Sequence, residues 1–220
     1  MAIRYQVLPS GSLECNAVVA WDDESREAVL IDPTDDARNA LNFVERHGLS
    51  VKHLLATHGH FDHTADAERA MTKLGLKLRL HPLDHGAYQR IPQHAAMFGV
   101  RFTARTQPID ELAEGDTFSV NSGLSLQTLA VPGHTEGSVA FYVPEGPWVF
   151  AGDTLFAGSV GRTDLPGGSF EQLTNSVLNV LYRLPDNCVV IPGHGPTTTI
   201  GREKRANGVL RMENISRDWL

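Results

Sequence analysis

The sequence has little cysteine and no apolar run long enough to span a membrane. Its two cysteines, Cys15 and Cys188, form no CxxC pair, so no disulfide framework is predicted. Cys188 lies in an apolar run and is expected to be a small buried hydrophobe, while a disulfide between the two remains an open alternative. The first residues also lack the apolar core of a secretion signal, which favours a cytoplasmic location with no membrane contact.

The chain also lacks an excess of positive charge. It carries 19 Lys and Arg against 26 Asp and Glu, a net charge of −7 over 220 residues. This balance provides no broad basic surface for phosphates, and Arg202, Lys204 and Arg205 are expected to form a solvated helix face. We therefore expect a small-molecule substrate and no nucleic-acid partner.

Alternating strand and helix patterns predict a single α/β domain over residues 1–220. Short apolar runs separated by polar turns predict an antiparallel opening, and a further strand over residues 51–57. Apolar residues at helical spacing predict helices over residues 35–47, 62–74, 170–184 and 201–210. More antiparallel strands are predicted between residues 118 and 151, with a last strand at 188–191. The sequence shows no repeat or linker that would divide the chain.

Four metal-ligand side chains are concentrated in residues 57–63, whose sequence is THGHFDH. The segment follows an apolar run, which is typical of a buried strand that ends in a loop. His58 and His60 lie two residues apart, so in an extended segment both side chains leave on the same side. Asp62 and His63 are adjacent, and they cannot both join this pair at a single tetrahedral centre without severe crowding. The spacing therefore predicts two metal ions, one for each pair.

Three later strand ends each place one ligand-type side chain beside a glycine: His134, Asp153 and His194. His134 would join the first pair of ligands and His194 the second. Asp153 can bridge the two ions, because its two oxygens offset their mutual repulsion. Coordination lowers the pKa of a bound water towards about 7, so hydroxide becomes available as a nucleophile. The set predicts metal-assisted hydrolysis, with Asp62 and Asp153 acting through the hydroxide that the ions hold.

These motifs resemble the metallo-β-lactamase superfamily, and within it the short bacterial glyoxalase II (hydroxyacylglutathione hydrolase) proteins. The matching segments are THGHFDH at 57–63, PGHTEGS at 132–138, GDTLF at 152–156, GRTDLPGG at 161–168 and GHGPTTTIGREK at 193–204. The resemblance implies a four-layer αββα sandwich of the metallo-β-lactamase type. It implies two divalent ions, most often zinc but also iron or manganese, held by His58, His60 and His134, by Asp62, His63 and His194, and by a shared Asp153. It also implies hydrolysis of S-D-lactoylglutathione or a related acyl thioester.

One segment departs from the glyoxalase II pattern. Gly161-Arg162-Thr163-Asp164 stands where that family has a lysine and a tyrosine motif for glutathione. It is similar instead to persulfide dioxygenases, whose single iron is bound by residues matching His58, His134 and Asp153. Arg162 is expected either to anchor a substrate carboxylate through a charge-assisted pair or to form a salt bridge within its own loop. A mononuclear iron persulfide dioxygenase is therefore the alternative function.

Four further residues are weaker candidates. Asp32 ends a strand and is expected either to orient a motif histidine or to form only a turn. His81, His85 and His94 lie in an irregular segment that could line a cleft, although surface or packing roles are favoured for them.

Overall fold

Two six-stranded sheets pack face to face in a computed structural model that describes residues 2–120 and 123–210. The first sheet has the order β1-β2-β3-β4-β5-β6. Its strands are β1 Ile3–Ser10, β2 Cys15–Asp22, β3 Glu27–Ile31, β4 Ser50–Leu55, β5 Leu78–Leu80 and β6 Asp110–Glu111. The first three strands pair antiparallel, as predicted. From β3 onward the pairing is parallel, because longer crossover connections separate the strands along the chain.

The second sheet has the order β14-β13-β10-β9-β8-β7. Its strands are β7 Thr117–Val120, β8 Leu124–Ala130, β9 Val139–Val143, β10 Trp148–Gly152, β13 Val189–Pro192 and β14 Thr198–Thr199. A separate two-stranded ribbon contains β11 Leu155–Phe156 and β12 Ser159–Val160. All pairs in the second sheet are antiparallel except β10 with β13. The carboxyl ends of β10 and β13 therefore lie at the same sheet edge.

Helices cover the outer face of each sheet. Those on the first sheet are α1 Arg38–Arg46, α2 Phe61–Thr64, α3 Ala67–Leu74, α4 His85–Gln89 and α5 Ile91–Met97. Those on the second are α6 Phe170–Asn179 and α7 Ile200–Ala206, with 3₁₀ turns at Pro82–Asp84 and Leu181–Arg183 elsewhere in the chain. One apolar cluster fills the space between the sheets, and one lies beneath each helical layer. These layers confirm the predicted αββα sandwich.

Two predicted helices are interrupted in the structure. The helix expected over residues 62–74 is divided into α2 and α3, because Asp66 leaves the helix and its carboxylate accepts a hydrogen bond from Ala37 N at 3.1 Å. The helix expected over residues 170–184 ends at Asn179 and continues as a 3₁₀ turn before Pro185, which disfavours helical backbone at the preceding residue.

Helix bounds and cysteine pairing also differ from parts of the prediction. The first and last helices are shorter than expected, with α1 beginning at Arg38 and α7 ending at Ala206. Cys15 and Cys188 are both buried and free, so the alternative of a disulfide between them is wrong. No helix among residues 2–120 and 123–210 is long and apolar enough to cross a bilayer.

Candidate metal centre

Loops at four strand ends meet where the edges of the two sheets come together. His58 and His60 follow β4, His134 follows β8, Asp153 follows β10 and His194 follows β13. A main-chain hydrogen bond from Val139 N to Thr57 O at 2.9 Å joins the two sheets, and one from Gly193 N to Gly152 O at 2.8 Å joins the ends of β13 and β10 within the second sheet. Side chains that are far apart in the sequence are therefore held at one place by backbone contacts.

Three buried histidines form the first group of ligand atoms. His60 Nδ1 lies 3.2 Å from His58 Nε2 and 2.9 Å from His134 Nε2. One ring nitrogen from each of the three lies within 4.8 Å of those of the other two, which is the spacing expected of ligands that share one ion. The structure thus brings together the three histidines that the sequence assigned to the first ion.

Asp62, His63 and His194 form a second group beside the first. His194 Nε2 lies 3.1 Å from Asp62 Oδ2, and His63 Nε2 lies 3.8 Å from the same oxygen. Asp153 lies between the groups, with Oδ1 3.4 Å from His63 Nε2 and Oδ2 3.5 Å from His134 Nε2. Its carboxylate therefore reaches histidines of both groups, which is the position expected of a bridging ligand.

Hydrogen bonds on the outer side fix the tautomer of four of these histidines. In each, Nδ1 faces an oxygen that accepts its hydrogen: Thr57 Oγ1 at 3.1 Å for His58, Asp32 Oδ2 at 3.0 Å for His63, Arg162 O at 2.8 Å for His134 and Leu13 O at 3.1 Å for His194. Carbonyl and carboxylate oxygens cannot donate, and the Thr57 hydroxyl already donates to Asp32 Oδ2. In the neutral form of each ring, Nε2 therefore carries a lone pair directed into the centre, as in histidines that bind metals.

The donor set fits divalent metal ions. His63 Nε2 and Asp153 Oδ1 are buried and make no hydrogen bond within the described residues. At His60 Nδ1, a single hydrogen can satisfy only one of the two facing nitrogens, so another buried lone pair is left unpaired. Buried polar atoms without a partner are costly, and a cation would satisfy them together. A mixed set of imidazole and carboxylate suits zinc, iron or manganese.

The protonation states favour metal binding at the first group. Burial, together with the neighbouring imidazoles, lowers the pKa of His58 and of His60 well below the usual histidine value. Both rings are therefore neutral at pH 7 and keep a free lone pair. Burial by itself would raise the pKa of Asp153, but the facing His63 and His134 outweigh it and lower the pKa, so this carboxylate is ionised.

Asp32 orients both the motif loop and one of its histidines. Its Oδ1 accepts Thr57 N at 2.7 Å, while Oδ2 accepts the Thr57 hydroxyl at 2.8 Å and His63 Nδ1 at 3.0 Å. The residue is buried and has a φ of 50°, a conformation that Asp and Asn tolerate better than most other residues. Asp32 was expected either to orient a motif histidine or to form only a turn, and its contacts agree with the first alternative.

Asp84 is a second orienting carboxylate, and sequence reasoning missed it. It lies in the 3₁₀ turn after β5, is 2% exposed, and accepts Gly59 N at 2.8 Å, Thr135 Oγ1 at 2.8 Å and Gly137 N at 2.9 Å. It therefore joins the loop of His58 and His60 to the loop of His134. A Cβ on Gly59 would lie 2.7 Å from Asp84 O, so the two segments require glycine at this close approach.

Family-level comparison agrees with the motifs and with the layers of the fold. A model of the metallo-beta-lactamase superfamily matches residues 11–194. The chain belongs to this superfamily. It is 34% identical to the hydroxyacylglutathione hydrolase GloC of Haemophilus influenzae, over 96% of this chain and 100% of that one. It is 33% identical to the mitochondrial persulfide dioxygenase ETHE1 of Bos taurus, over 87% of this chain and 69% of that one.

Solved structures of superfamily members have the same fold. The B3 metallo-beta-lactamase BLEG-1 superposes with a TM-score of 0.87 at 31% identity, covering 94% of this chain and 100% of that chain. TTHA1623 in a di-iron-bound form superposes with a TM-score of 0.84 at 40% identity, covering 93% of this chain and 100% of that chain. Members of the superfamily bind divalent metals, in agreement with the histidine-rich centre of this chain.

Arg162 lies at the mouth of the cleft above the ligands, where its guanidinium pairs with Asp164. The contacts are Nε to Oδ1 at 2.7 Å and Nη2 to Oδ2 at 2.7 Å, and both side chains are exposed. This is the salt bridge within the loop that was one of the two predicted roles. The backbone oxygen of Arg162 also accepts His134 Nδ1, so the loop positions a ligand as well.

His94 lies closer to the centre than its favoured surface or packing role suggested. Its ring is 4.5 Å from that of His60 and 5.2 Å from that of Phe61, and it lines the cleft. His81 and His85 have local roles, because His81 Nδ1 accepts Leu83 N at 3.4 Å and His85 Nε2 bonds to Leu80 O at 3.2 Å. Periodicity gave no signal that would separate His94 from the other two.

Proposed function

We propose that the protein is a metal-dependent hydrolase of acyl thioesters, with S-D-lactoylglutathione as the first substrate to test. The observation that carries this proposal is the pair of ligand groups on either side of Asp153, with inward-directed Nε2 atoms at the floor of a cleft of about 390 Å³. The similarity to hydroxyacylglutathione hydrolase GloC supports the choice of bond to be cleaved.

In this proposal the side chains of the centre hold the metal ions, and the residues around them orient the ligand histidines. His58, His60 and His134 would hold one ion, Asp62, His63 and His194 would hold the other, and Asp153 would be shared between them. Two divalent ions, with zinc as the first to be tried, would supply a Lewis acid for the carbonyl and activation of water at neutral pH. The reaction consumes one water: the acyl carbon gains a hydroxyl, the carbon–sulfur bond breaks, and the sulfur leaves with a proton as a thiol. Asp32 keeps His63 in the required tautomer throughout.

The test is hydrolysis of S-D-lactoylglutathione by zinc-loaded protein without oxygen, comparing Asp153→Asn with Asp110→Asn. Asp153 is the shared ligand, whereas Asp110 lies on an exposed edge strand and pairs with Lys77. We expect Asp153→Asn to lower kcat/KM at least about 100-fold with loss of bound metal, in line with the loss of a metal ligand or its support. Asp110→Asn should stay within about twofold, as surface substitutions do. Unchanged activity in Asp153→Asn, or no turnover of any thioester by fully loaded protein, would contradict the proposal.

Persulfide oxidation is a second candidate, favoured by the similarity to persulfide dioxygenase ETHE1. In this case one iron would be held by His58, His134 and Asp153; His134 Nε2 and Asp153 Oδ2 lie 3.5 Å apart. Oxygen uptake by iron-loaded protein supplied with glutathione persulfide would support it. Thioester turnover in the absence of oxygen favours the hydrolase, because a dioxygenase cannot turn over under those conditions.

A further inference from the structure

The cleft above the metal ligands has an apolar wall built from separate parts of the chain. Leu13 comes from the loop between β1 and β2, Phe98 from the end of α5, Phe156 and Val160 from the β11–β12 ribbon, and Leu165 from the loop after it. Leu13 and Phe98 are 39% and 37% exposed, and they are two of the five exposed large apolar side chains within residues 2–120 and 123–210. Exposed apolar side chains that share a concave site indicate ligand binding.

Phe98 is a preorganised part of this wall. Its ring lies 5.4 Å from that of the fully buried Phe61 and 5.5 Å from that of His94, at angles of 40° and 73°. Such aromatic contacts stabilise the position of a side chain beyond simple burial. A ligand group that contacts Phe98 therefore binds to a side chain that is already ordered, so little further conformational entropy is lost on binding.

Outside the metal site, the rim of this cleft offers little to an anionic ligand. Of the described residues that line it, Arg162 is the one Lys or Arg, and its guanidinium fork already pairs with Asp164 at two 2.7 Å contacts. Glutathione carries two carboxylates, and carboxylates are bound best by cations with unpaired donors. The electrostatics of the mouth therefore favour a neutral group over a glutathione moiety.

We propose that this mouth binds an apolar substituent of the thioester, and that a glutathione moiety adds little affinity. The inference rests on the proposed function, because it specifies the substrate of the same site. The apolar group can belong to the acyl side or to the thiol side of the bond. Hydrolysis of hexanoyl-N-acetylcysteamine and of S-hexyl thioacetate would distinguish the two, since each places the six-carbon chain on one side only.

The decisive experiment is calorimetric titration of zinc-loaded protein with three thioethers that cannot be hydrolysed. They are S-ethyl-N-acetylcysteamine, S-hexyl-N-acetylcysteamine and S-hexylglutathione. Each fully buried methylene is worth roughly fourfold in affinity, so over four methylenes in an open cleft we expect a preference for hexyl over ethyl of about tenfold. S-hexylglutathione should bind within about threefold of S-hexyl-N-acetylcysteamine, because the one arginine at the rim of the cleft is already paired with Asp164.

Two variants and one control test whether the apolar wall causes the hexyl-to-ethyl preference. Phe98→Ser and Leu13→Ser should each reduce the hexyl-to-ethyl ratio to about threefold or less, since each removes part of the apolar surface. Leu13→Ser changes an exposed loop, so it remains informative if Phe98→Ser folds poorly. Met97→Ser is the matched control, because Met97 is adjacent to Phe98 but 70% exposed and outside the lining.

Two results would overturn the inference: a hexyl-to-ethyl ratio near one, or S-hexylglutathione binding more than about tenfold tighter than its N-acetylcysteamine counterpart. Because the readout is binding, it does not depend on turnover. Hexyl preference without hydrolysis of any thioester would reject the proposed function and leave the apolar site in place. Hydrolysis without hexyl preference would reject the apolar site and leave the proposed function in place.

Discussion

Replacing Asp84 by asparagine tests whether one buried carboxylate holds two ligand loops together. Oδ2 of Asp84 accepts two hydrogen bonds, from Gly59 N and Thr135 Oγ1, while Oδ1 accepts one from Gly137 N. In Asp84→Asn the amide oxygen can keep the first two partners. Its NH₂ group then faces the N–H of Gly137, so a buried hydrogen bond is lost and two donors oppose each other. The substitution changes few atoms but reverses one contact.

The magnitude follows from the charge and burial of the site. Hydrogen bonds to a charged group contribute about 1.5–3 kcal/mol each, and a buried donor without an acceptor costs about 1–3 kcal/mol. We therefore expect Asp84→Asn to lower the free energy of unfolding by about 2–4 kcal/mol. Since the loops that carry His58, His60 and His134 are then less well fixed, zinc affinity should also fall by about 10- to 100-fold.

Glu203→Gln is the matched control for Asp84→Asn. Glu203 is 1% exposed and its carboxylate also accepts three hydrogen bonds, from Gly158 N, Thr198 Oγ1 and Asn207 Nδ2. None of these partners belongs to a ligand loop joined by Asp84. Urea unfolding of metal-free protein should show a loss of stability in both variants, whereas competition with a chelator should show weaker zinc binding in Asp84→Asn alone. Equal zinc affinity in the two variants would refute the role assigned to Asp84.

The remaining predictions concern Asp32 and the cysteines. Asp32→Asn keeps a residue suited to the φ of 50° but can place an amide donor against His63 Nδ1, so we expect about 10- to 100-fold weaker zinc binding. The measurement is metal content after dialysis against a chelator. Full retention of two ions would contradict this prediction. Burial raises the pKa of the Cys188 thiol to about 11, and Cys15 is also fully buried, so neither should react with a thiol reagent at pH 8 until urea unfolds the chain. Rapid labelling of the folded protein would show that one of the thiols is accessible.

The meeting of these side chains at one place could be predicted because each follows an apolar strand that stops at a polar residue. His134, Asp153 and His194 lie far apart in the sequence, but they share this placement with residues 57–63. Strand ends at one edge of a sandwich meet in space, so a pattern of strand ends carries information on three-dimensional proximity. The division into two groups followed from spacing. In an extended segment the side chains of His58 and His60, two residues apart, leave on the same side, whereas the adjacent Asp62 and His63 were assigned to a second ion.

Other features depended on contacts that no local pattern contains. Asp84 follows a short strand in a segment without clear periodicity, and its three partners come from two distant loops. The break after Thr64 depends on a bond between Asp66 and the backbone of Ala37, although the apolar spacing of the segment favours one continuous helix. For Arg162 the sequence allowed two partners, and the choice of Asp164 follows from the course of its loop.

Glycines decide how closely the ligand loops approach each other. A Cβ on Gly193 would lie 2.2 Å from Asp153 Oδ1 and 2.6 Å from His63 Cε1, and a Cβ on Gly152 would lie 2.6 Å from Thr57 Oγ1. A side chain at position 193 would displace the Asp153 carboxylate from His63, and one at position 152 would displace Thr57, which precedes His58. These two glycines therefore allow the loops of Asp153 and His194 to approach each other and the loop of His58 closely.

The floor of the cleft is formed by residues of the ligand motifs, whereas part of its wall is formed by residues outside these motifs. The floor requires fixed ligand types and glycines, so the residues that form it identify the superfamily but leave the substrate open. Leu13 and Phe98 lie outside the ligand motifs and are exposed at the mouth, where a change of side chain leaves the ligand contacts intact. Substitutions in the apolar wall can therefore change what the cleft binds without altering the histidine-rich centre, and we expect the choice of substrate to depend on this wall.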